Sequence, residues 1–330
     1  MEAKEIRELL LTFDTEDFIS QNSISVLQVL LEQLEKYDLK ALFFVTGHMA
    51  EKLQDYPETA NLLEAHEIGY HSSGHSVHPT IFEFTDVESY EQAYRTSMIR
   101  ETSHINPLTG AVENSGNGGI LSLRKLFPTK QVVAFRAPGF CWSPPHTEAL
   151  RDLGIKFDFS THISSFPFYH KGLSFYPYPN TGEWQGKLSD YRLLSLSILR
   201  NGITITNSHP SLFVNQGEWD SIYWKGNPKH ITPPIPKRNY EIKSLFKSYD
   251  LLLKRLKHFE RIGLIETTPH LIASEKNLSI PSEEVERCYE HSVRWAKRLF
   301  EYKPMFLRHH FFSFFDIPSS NTMDRTGFKE

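Results

Sequence analysis

Cysteine is scarce in this chain: Cys141 and Cys288 are the only two among 330 residues. Two cysteines do not make the framework of a small disulfide-stapled secreted domain, so a packed core has to hold the fold, and a reducing compartment suits the composition. Long apolar runs are missing too. No stretch approaches the ~20 residues needed to cross a bilayer, and the first residues lack the basic and apolar segments of a secretory signal. The protein is therefore expected in the cytoplasm, away from membranes. Excess charge of either sign is also absent. The formal net charge is −4 and the pI about 6.5, with Lys and Arg scattered along the chain, which leaves no basic patch for nucleic acid. No repeat, low-complexity tract or Gly/Ser linker divides the sequence. Residues 1–275 are accordingly read as one domain, and 276–330 as a helical extension packing on it or on a neighbouring subunit, a possible homo-oligomer contact.

What the chain does have is a series of short apolar runs that end in polar groups. Residues 9–13 (LLLTF) stop abruptly at Asp14-Thr15-Glu16-Asp17, and residues 41–46 (ALFFVT) stop at Gly47. Glu67-Ile68-Gly69-Tyr70 leads into a histidine pair, Val132-Val133-Ala134-Phe135 into Arg136, and Ile203-Thr204-Ile205-Thr206 into Asn207-Ser208-His209-Pro210. Each reads as a buried strand delivering chemistry at its C-terminal end, where α/β proteins place their sites. Helical spacing fills the intervals. Ile24, Leu27, Leu30, Leu31 and Leu34 follow the possible caps Asn22 and Ser23, and Ile242, Leu245, Phe246, Tyr249, Leu252, Leu253 and Leu256 repeat the pattern. Strands alternating with helices predict a mainly parallel sheet, open or closed into a barrel.

The histidine pair sits in HSSGHSVHP, residues 71–79. With 16 His in 330 residues, chance alone supplies about 0.8 HxxxH pairs, so the spacing of His71 and His75 proves little by itself. Its position does more: buried carboxylates are costly unless a cation compensates them, and two imidazoles beside an acidic strand end are the parts of a hydrolytic metal site.

The segments TFDTED (12–17), HSSGH (71–75), FRAPGF (135–140), DLGIKFDFS (152–160) and ITNSHP (205–210) resemble, in order and rough spacing, the five motifs of the polysaccharide deacetylases, the NodB-homology or family-four carbohydrate esterases. The resemblance spans residues 8 to about 270. It implies an α/β fold, a distorted (β/α)7 barrel, here with a C-terminal helical and aromatic extension. It also implies a divalent metal, zinc as a rule, and hydrolysis of an N-acetyl or related amide. The D-x-E-D and RAPGF forms look most like intracellular or exopolysaccharide-associated branches of the family.

His71 and His75 would supply two ligands, with Ser72-Ser73-Gly74 as a tight turn aiming both rings at one point. Family members with adjacent aspartates use the first as base and the second as ligand, but here Thr15 occupies the second position. Side chains alternate along a strand, which puts Asp14 and Glu16 on one side and favours Glu16 as the third ligand. Asp17 is the alternative if the strand has already turned at Thr15; otherwise it caps the following loop. By resemblance, Asp14 is the base, Arg136 pairs with it, His209 protonates the leaving amine, and Asp158 orients His209. A backbone N–H near Thr15 or Glu16 would help hold the oxyanion.

The expected activity is removal of an acetyl group from an N-acetylated sugar or oligosaccharide. Hydrolysis of a linear or cyclic amide such as a ureide or imide is the alternative on the same fold, and a non-catalytic carbohydrate-binding homologue a more distant one. Iron chemistry at a two-His-one-carboxylate site would leave Arg136 and His209 unexplained. The aromatic stretch 166–184 is either a sugar-stacking rim or a loop packed on itself. His78-Pro79 is a further contact beside the His loop or a turn. His309-His310 reads as a buried pair or subunit contact and Cys141 as a small buried side chain, while the insertions 103–130 and 210–240 carry no legible motif.

Overall fold

The opening apolar run forms two consecutive strands, β1 (Glu8–Leu10) and β2 (Thr12–Thr15), in a computed structural model that describes residues 7–75, 89–107, 109–161, 163, 167–177, 203–217, 234–267, 271, 280–300 and 308–318. β3 (Leu42–Val45) and β4 (Glu67–Tyr70) follow, then a hairpin of β5 (His104–Ile105) and β6 (Val112–Asn114) set apart from the main sheet. After it come β7 (Ala134–Phe135), β8 (Phe157–Asp158), β9 (Phe168–His170), β10 (Leu173–Phe175), β11 (Ile203–Ile205) and β12 (Glu266–Thr267). The main sheet runs β2-β3-β4-β7-β8-β10-β9, parallel throughout except for β9, and β1 lies parallel between β11 and β12. The two sheets meet along the first strand pair: Asp14 N–H donates to the Ser208 carbonyl at 2.9 Å, which carries the β11 segment up beside β2. The result is an arc of parallel strands from β11 to β10. No ladder joins β10 back to β11 among the described residues.

Both faces of the arc are buried, which is why its strands read as unbroken apolar runs. Leu9, Leu11, Phe13, Phe43, Val45, Ile68 and Phe135 pack with the helices, whereas Leu10, Leu42, Phe44, Ala134, Phe157, Phe159 and Ile205 form a second cluster on the alternate side chains. The first helix, Gln21–Lys36, buries Ile24, Leu27, Leu30, Leu31 and Leu34 as its spacing predicts. It starts earlier than Asn22 and Ser23 suggest, with Ser20 at the N-cap. The cause is Asp17, whose Oδ1 accepts from the backbone N–H of Ser20 (2.9 Å) and Ile19 (3.2 Å) while Ser23 Oγ donates to Oδ2. Helix Asn239–Arg261 buries Tyr249, Leu252, Leu253 and Leu256.

In the C-terminal helix Ser282–Phe300, Val285, Cys288, Tyr289 and Ser292 are buried; the side chains of Trp295, Ala296 and Leu299 lie outside the described residues. This helix and Arg308–Phe314 close over the segment after β7. Ser292 Oγ donates to the Trp142 carbonyl at 3.0 Å, and the Trp142 ring lies 5.0, 5.8 and 5.7 Å from those of Phe311, Phe314 and Phe315. Phe168 and Phe175 of the aromatic stretch belong to this core: they stack at 5.0 Å, and Phe175 meets Phe314 and Phe315, whereas Tyr169 is exposed. Phe166 and the stretch from 178 lie outside the described residues, as does His78-Pro79. His309 and His310 meet edge-on at 4.1 Å, His310 also edge-on to Tyr90, and Cys141 and Cys288 are thiols outside any disulfide, both buried. No helix among the described residues is long and apolar enough to cross a membrane.

Candidate active site and metal centre

The polar ends of the strands meet at one end of the arc. Asp14 lies within β2 and Glu16 just past it, while His71, Arg136 and His209 follow β4, β7 and the β11 segment. Parallel register does this: Asp14 pairs with Phe44, and His71 N–H and Arg136 N–H continue the ladders to the carbonyls of Val45 and Tyr70, both at 3.0 Å.

Glu16, His71 and His75 converge. Glu16 Oε2 lies 3.2 Å from His71 Nε2 and 2.8 Å from His75 Nε2, and the three side chains are almost fully buried. The His71 tautomer is fixed from behind. Its Nδ1 is 2.7 Å from the Arg136 carbonyl, and a carbonyl can only accept, so Nδ1 carries a proton and Nε2 is the nitrogen turned to the carboxylate. A metal ion bound there would meet Nε2 and the carboxylate together. Burial works to raise the Glu16 pKa, but His75, His209 and His71 outweigh it and hold the carboxyl well below the usual range. The ligand atoms all lie within 4.8 Å of one another. That donor set of two imidazoles and one carboxylate, with a carbonyl behind one ring, suits zinc. In this turn the left-handed residues are Ser72 (φ 63°) and His75 (φ 52°), and His75 N–H is caught by Ser72 Oγ at 3.0 Å.

Asp17 points elsewhere. Its carboxylate is spent on Ile19, Ser20, Ser23 and, at 3.4 Å, Asn215, and burial, its largest influence, raises its pKa despite those bonds. Asp17→Asn is thus expected to leave zinc content unchanged and to cost about 1 kcal/mol in urea unfolding, the usual worth of a helix-start interaction. Zinc lost from Asp17→Asn and kept by Glu16→Gln would reverse the two assignments.

Asp14 is held between two cations or potential cations. Arg136 Nη1 donates to Oδ1 at 2.7 Å, and His209 Nε2 lies 3.6 Å from Oδ2 and 4.0 Å from Glu16 Oε1. Arg136 is wholly buried. It also donates to Asn207 Oδ1 (3.1 Å) and Thr12 Oγ1 (2.8 Å), with its guanidinium 4.2 Å from the Phe44 ring centroid, so both terminal nitrogens and one face of the group are engaged. His209 is the most open of these groups, its side chain 17% exposed against 4% for Asp14 and Glu16; a ligand would enter from that side. Asp158 does not take the expected place. Its oxygens accept from Ser160 N–H (2.9 Å) and Ser160 Oγ (3.2 Å), and burial pushes its pKa up to about 7. The turn after β8 folds Ser160 back onto the carboxylate, which therefore braces that turn instead of reaching His209.

Sequence reasoning missed the group behind the histidine loop. Glu101, fully buried, accepts from Ser73 N–H at 3.0 Å and from the Tyr70 hydroxyl through Oε2, while Oε1 lies 2.7 Å from His146 Nε2. Ser73 Oγ donates to the Ser103 carbonyl at 3.0 Å. Close packing makes room for this brace, since a Cβ on Gly47 would come within 2.9 Å of Ser73 O. No motif marks Glu101 or His146, which come from helices remote in sequence.

Residues 2–114 match the family model described as polysaccharide deacetylase. Among curated proteins no sequence matches. Similar solved structures include a Mycobacterium smegmatis protein described as a polysaccharide deacetylase, with 14% identity, 83% of this chain and 96% of that one covered, and a TM-score of 0.47. They also include a 4-alpha-glucanotransferase from Thermococcus litoralis (15%, 94% and 50%, 0.44). A third is the catalytic domain of a peptidoglycan N-acetylglucosamine deacetylase from Eubacterium rectale (13%, 83% and 97%, 0.39). With every score below 0.5, the functional argument has to come from the side chains.

Proposed function

Because residues 2–114 carry a polysaccharide deacetylase region, we propose that this protein is a zinc-dependent hydrolase that removes an acetyl group from an N-acetylated sugar or short oligosaccharide. The observation that carries the proposal is Asp14, fixed by Arg136 at 2.7 Å and facing His209 at 3.6 Å, beside the Glu16-His71-His75 group.

Glu16, His71 and His75 would hold the ion, which when bound lowers the pKa of a water toward about 7 and polarises the carbonyl. Asp14 takes the water's proton on Oδ2, the oxygen that Arg136 does not bond. Arg136 keeps Asp14 aimed, since its charge is buried and Asp14 is its ion-pair partner at 2.7 Å. His209, on the open side, delivers a proton from Nε2 to the nitrogen as the C–N bond breaks, so that amide and water yield acetate and an amine. Asp158 and Ser160 steady the turn that flanks Arg136, with Ser160 Oγ accepting from Ala137 N–H at 2.8 Å.

The test runs the zinc-loaded protein on N-acetylhexosamines and their short oligomers and, in parallel, on cyclic ureides and imides, reading acetate and ring opening. Acetate with a new free amine is expected. Ring opening without acetate would transfer the same residues to cyclic amide hydrolysis and sink the deacetylase assignment.

A further inference from the structure

Two imidazoles and a carboxylate converge a second time, away from Asp14. Helix Gly47–Leu53 presents His48 and Glu51 three residues apart, on one face, and β5 brings His104 against them. Glu51 Oε2 lies 2.8 Å from His104 Nδ1 and 3.5 Å from His48 Nδ1. The ligand atoms of the three residues all lie within 4.8 Å of one another. Ser122 Oγ donates to the other oxygen, Oε1, at 3.2 Å, which turns Oε2 toward the two rings.

The surroundings of His104 carry the argument. Its ring lies between two carboxylates, with Nδ1 2.8 Å from Glu51 Oε2 and Nε2 3.5 Å from Glu113 Oε2, so a metal ion on Nδ1 would leave Nε2–H facing Glu113. A carboxylate behind a ligating imidazole is the usual support of zinc-binding histidines. His48 is 5% exposed, and its Nε2 is buried without a hydrogen-bond partner, so its Nδ1 edge is the one engaged. Beside the group lies a cavity of about 280 Å³ lined by Glu51, Gln54, His104, Asn117, Ser122 and Lys125, room for a water to complete a three-ligand site. Lys125 makes no ion pair with Glu51 among the described residues, so that carboxylate's charge is left to the imidazoles.

The geometry points to a second zinc site made by His48 Nδ1, Glu51 Oε2 and His104 Nδ1, which ties helix Gly47–Leu53 to the β5–β6 hairpin. Both elements touch the loop that holds His71 and His75. Gly47 N–H and His48 N–H donate to the carbonyls of Ser72 and Ser73, each at 3.0 Å, and Ser103, next to His104, accepts from Ser73 Oγ at 3.0 Å. Zinc bound there stiffens the frame of the first site without taking part in its chemistry.

Zinc per chain, measured by elemental analysis after equilibration with buffered zinc, separates the sites. The unmodified protein is expected to hold two equivalents; His104→Ala, Glu51→Gln and His71→Ala one each; and the His71→Ala/His104→Ala double variant none. The rise in Tm on adding zinc should survive in His71→Ala and vanish in the double variant. Circular dichroism confirms that each variant is folded, and His104→Gln stands in for an alanine variant that is not. Zinc content equal to that of the unmodified protein in both His104→Ala and Glu51→Gln would overturn the second site, whatever His71→Ala does. Loss confined to His71→Ala would leave the proposed function standing alone.

Discussion

His71→Ala and His75→Ala are each expected to lose one equivalent of zinc per chain and all measurable turnover while keeping the native circular dichroism. In the proposed site the two rings supply two of three protein ligands, and metal affinity collapses when a ligand is removed because the remaining pair cannot exclude water from the ion. The fold has other support. His71 contributes one hydrogen bond to the Arg136 carbonyl, worth about 1 kcal/mol, whereas the loop itself hangs from Glu101, Ser103 and helix Gly47–Leu53. Elemental analysis beside a deacetylation assay decides the matter. Unchanged zinc content in both variants would remove the site from these residues.

Asp14→Asn should slow turnover by about 10²–10⁴-fold, the usual worth of a positioned base, with zinc content unchanged. Its stability should fall as well, by about 3 kcal/mol, because Arg136 is wholly buried and loses its counter-charge. The assay therefore belongs well below the melting temperature. His209→Ala supplies the complement. That side chain is partly open and its carboxylate neighbours lie at 3.6 and 4.0 Å, so turnover should drop with little change in stability, and the alkaline limb of the pH profile should change with it. Full activity in Asp14→Asn, or an unaltered alkaline limb in a slowed His209→Ala, would strip the corresponding role.

Much of this was legible along the chain, for a definite reason. A strand buried on both faces must be apolar, so its polar end stands out: Asp14 and Glu16 after LLLTF, Arg136 after VVAF, and His209 after ITIT are visible as breaks in hydrophobicity. Strand alternation also set Asp14 and Glu16 on one side and Asp17 on the other. What alternation could not fix was where the strand ended, and that depended on Asp17 finding Ser20, Ser23 and Asn215 to bond. The interior of the aromatic stretch was equally ambiguous, because Phe168 and Phe175 would look the same in sequence whether they faced sugar or Phe314 and Phe315.

The amino-acid sequence by itself determined which strands lead into polar groups, the helix faces and the residue types gathered at the site, because these follow from local periodicity and the cost of burying charge. Tertiary structure alone decided the partnerships. Asp158 turns to Ser160 because of the backbone after β8, Glu101 reaches Ser73 from a helix 28 residues away, and His104 meets Glu51 across 53 residues. A hydrogen bond acts over about 3 Å of space and is indifferent to separation along the chain, so no pattern of neighbours in the sequence records it.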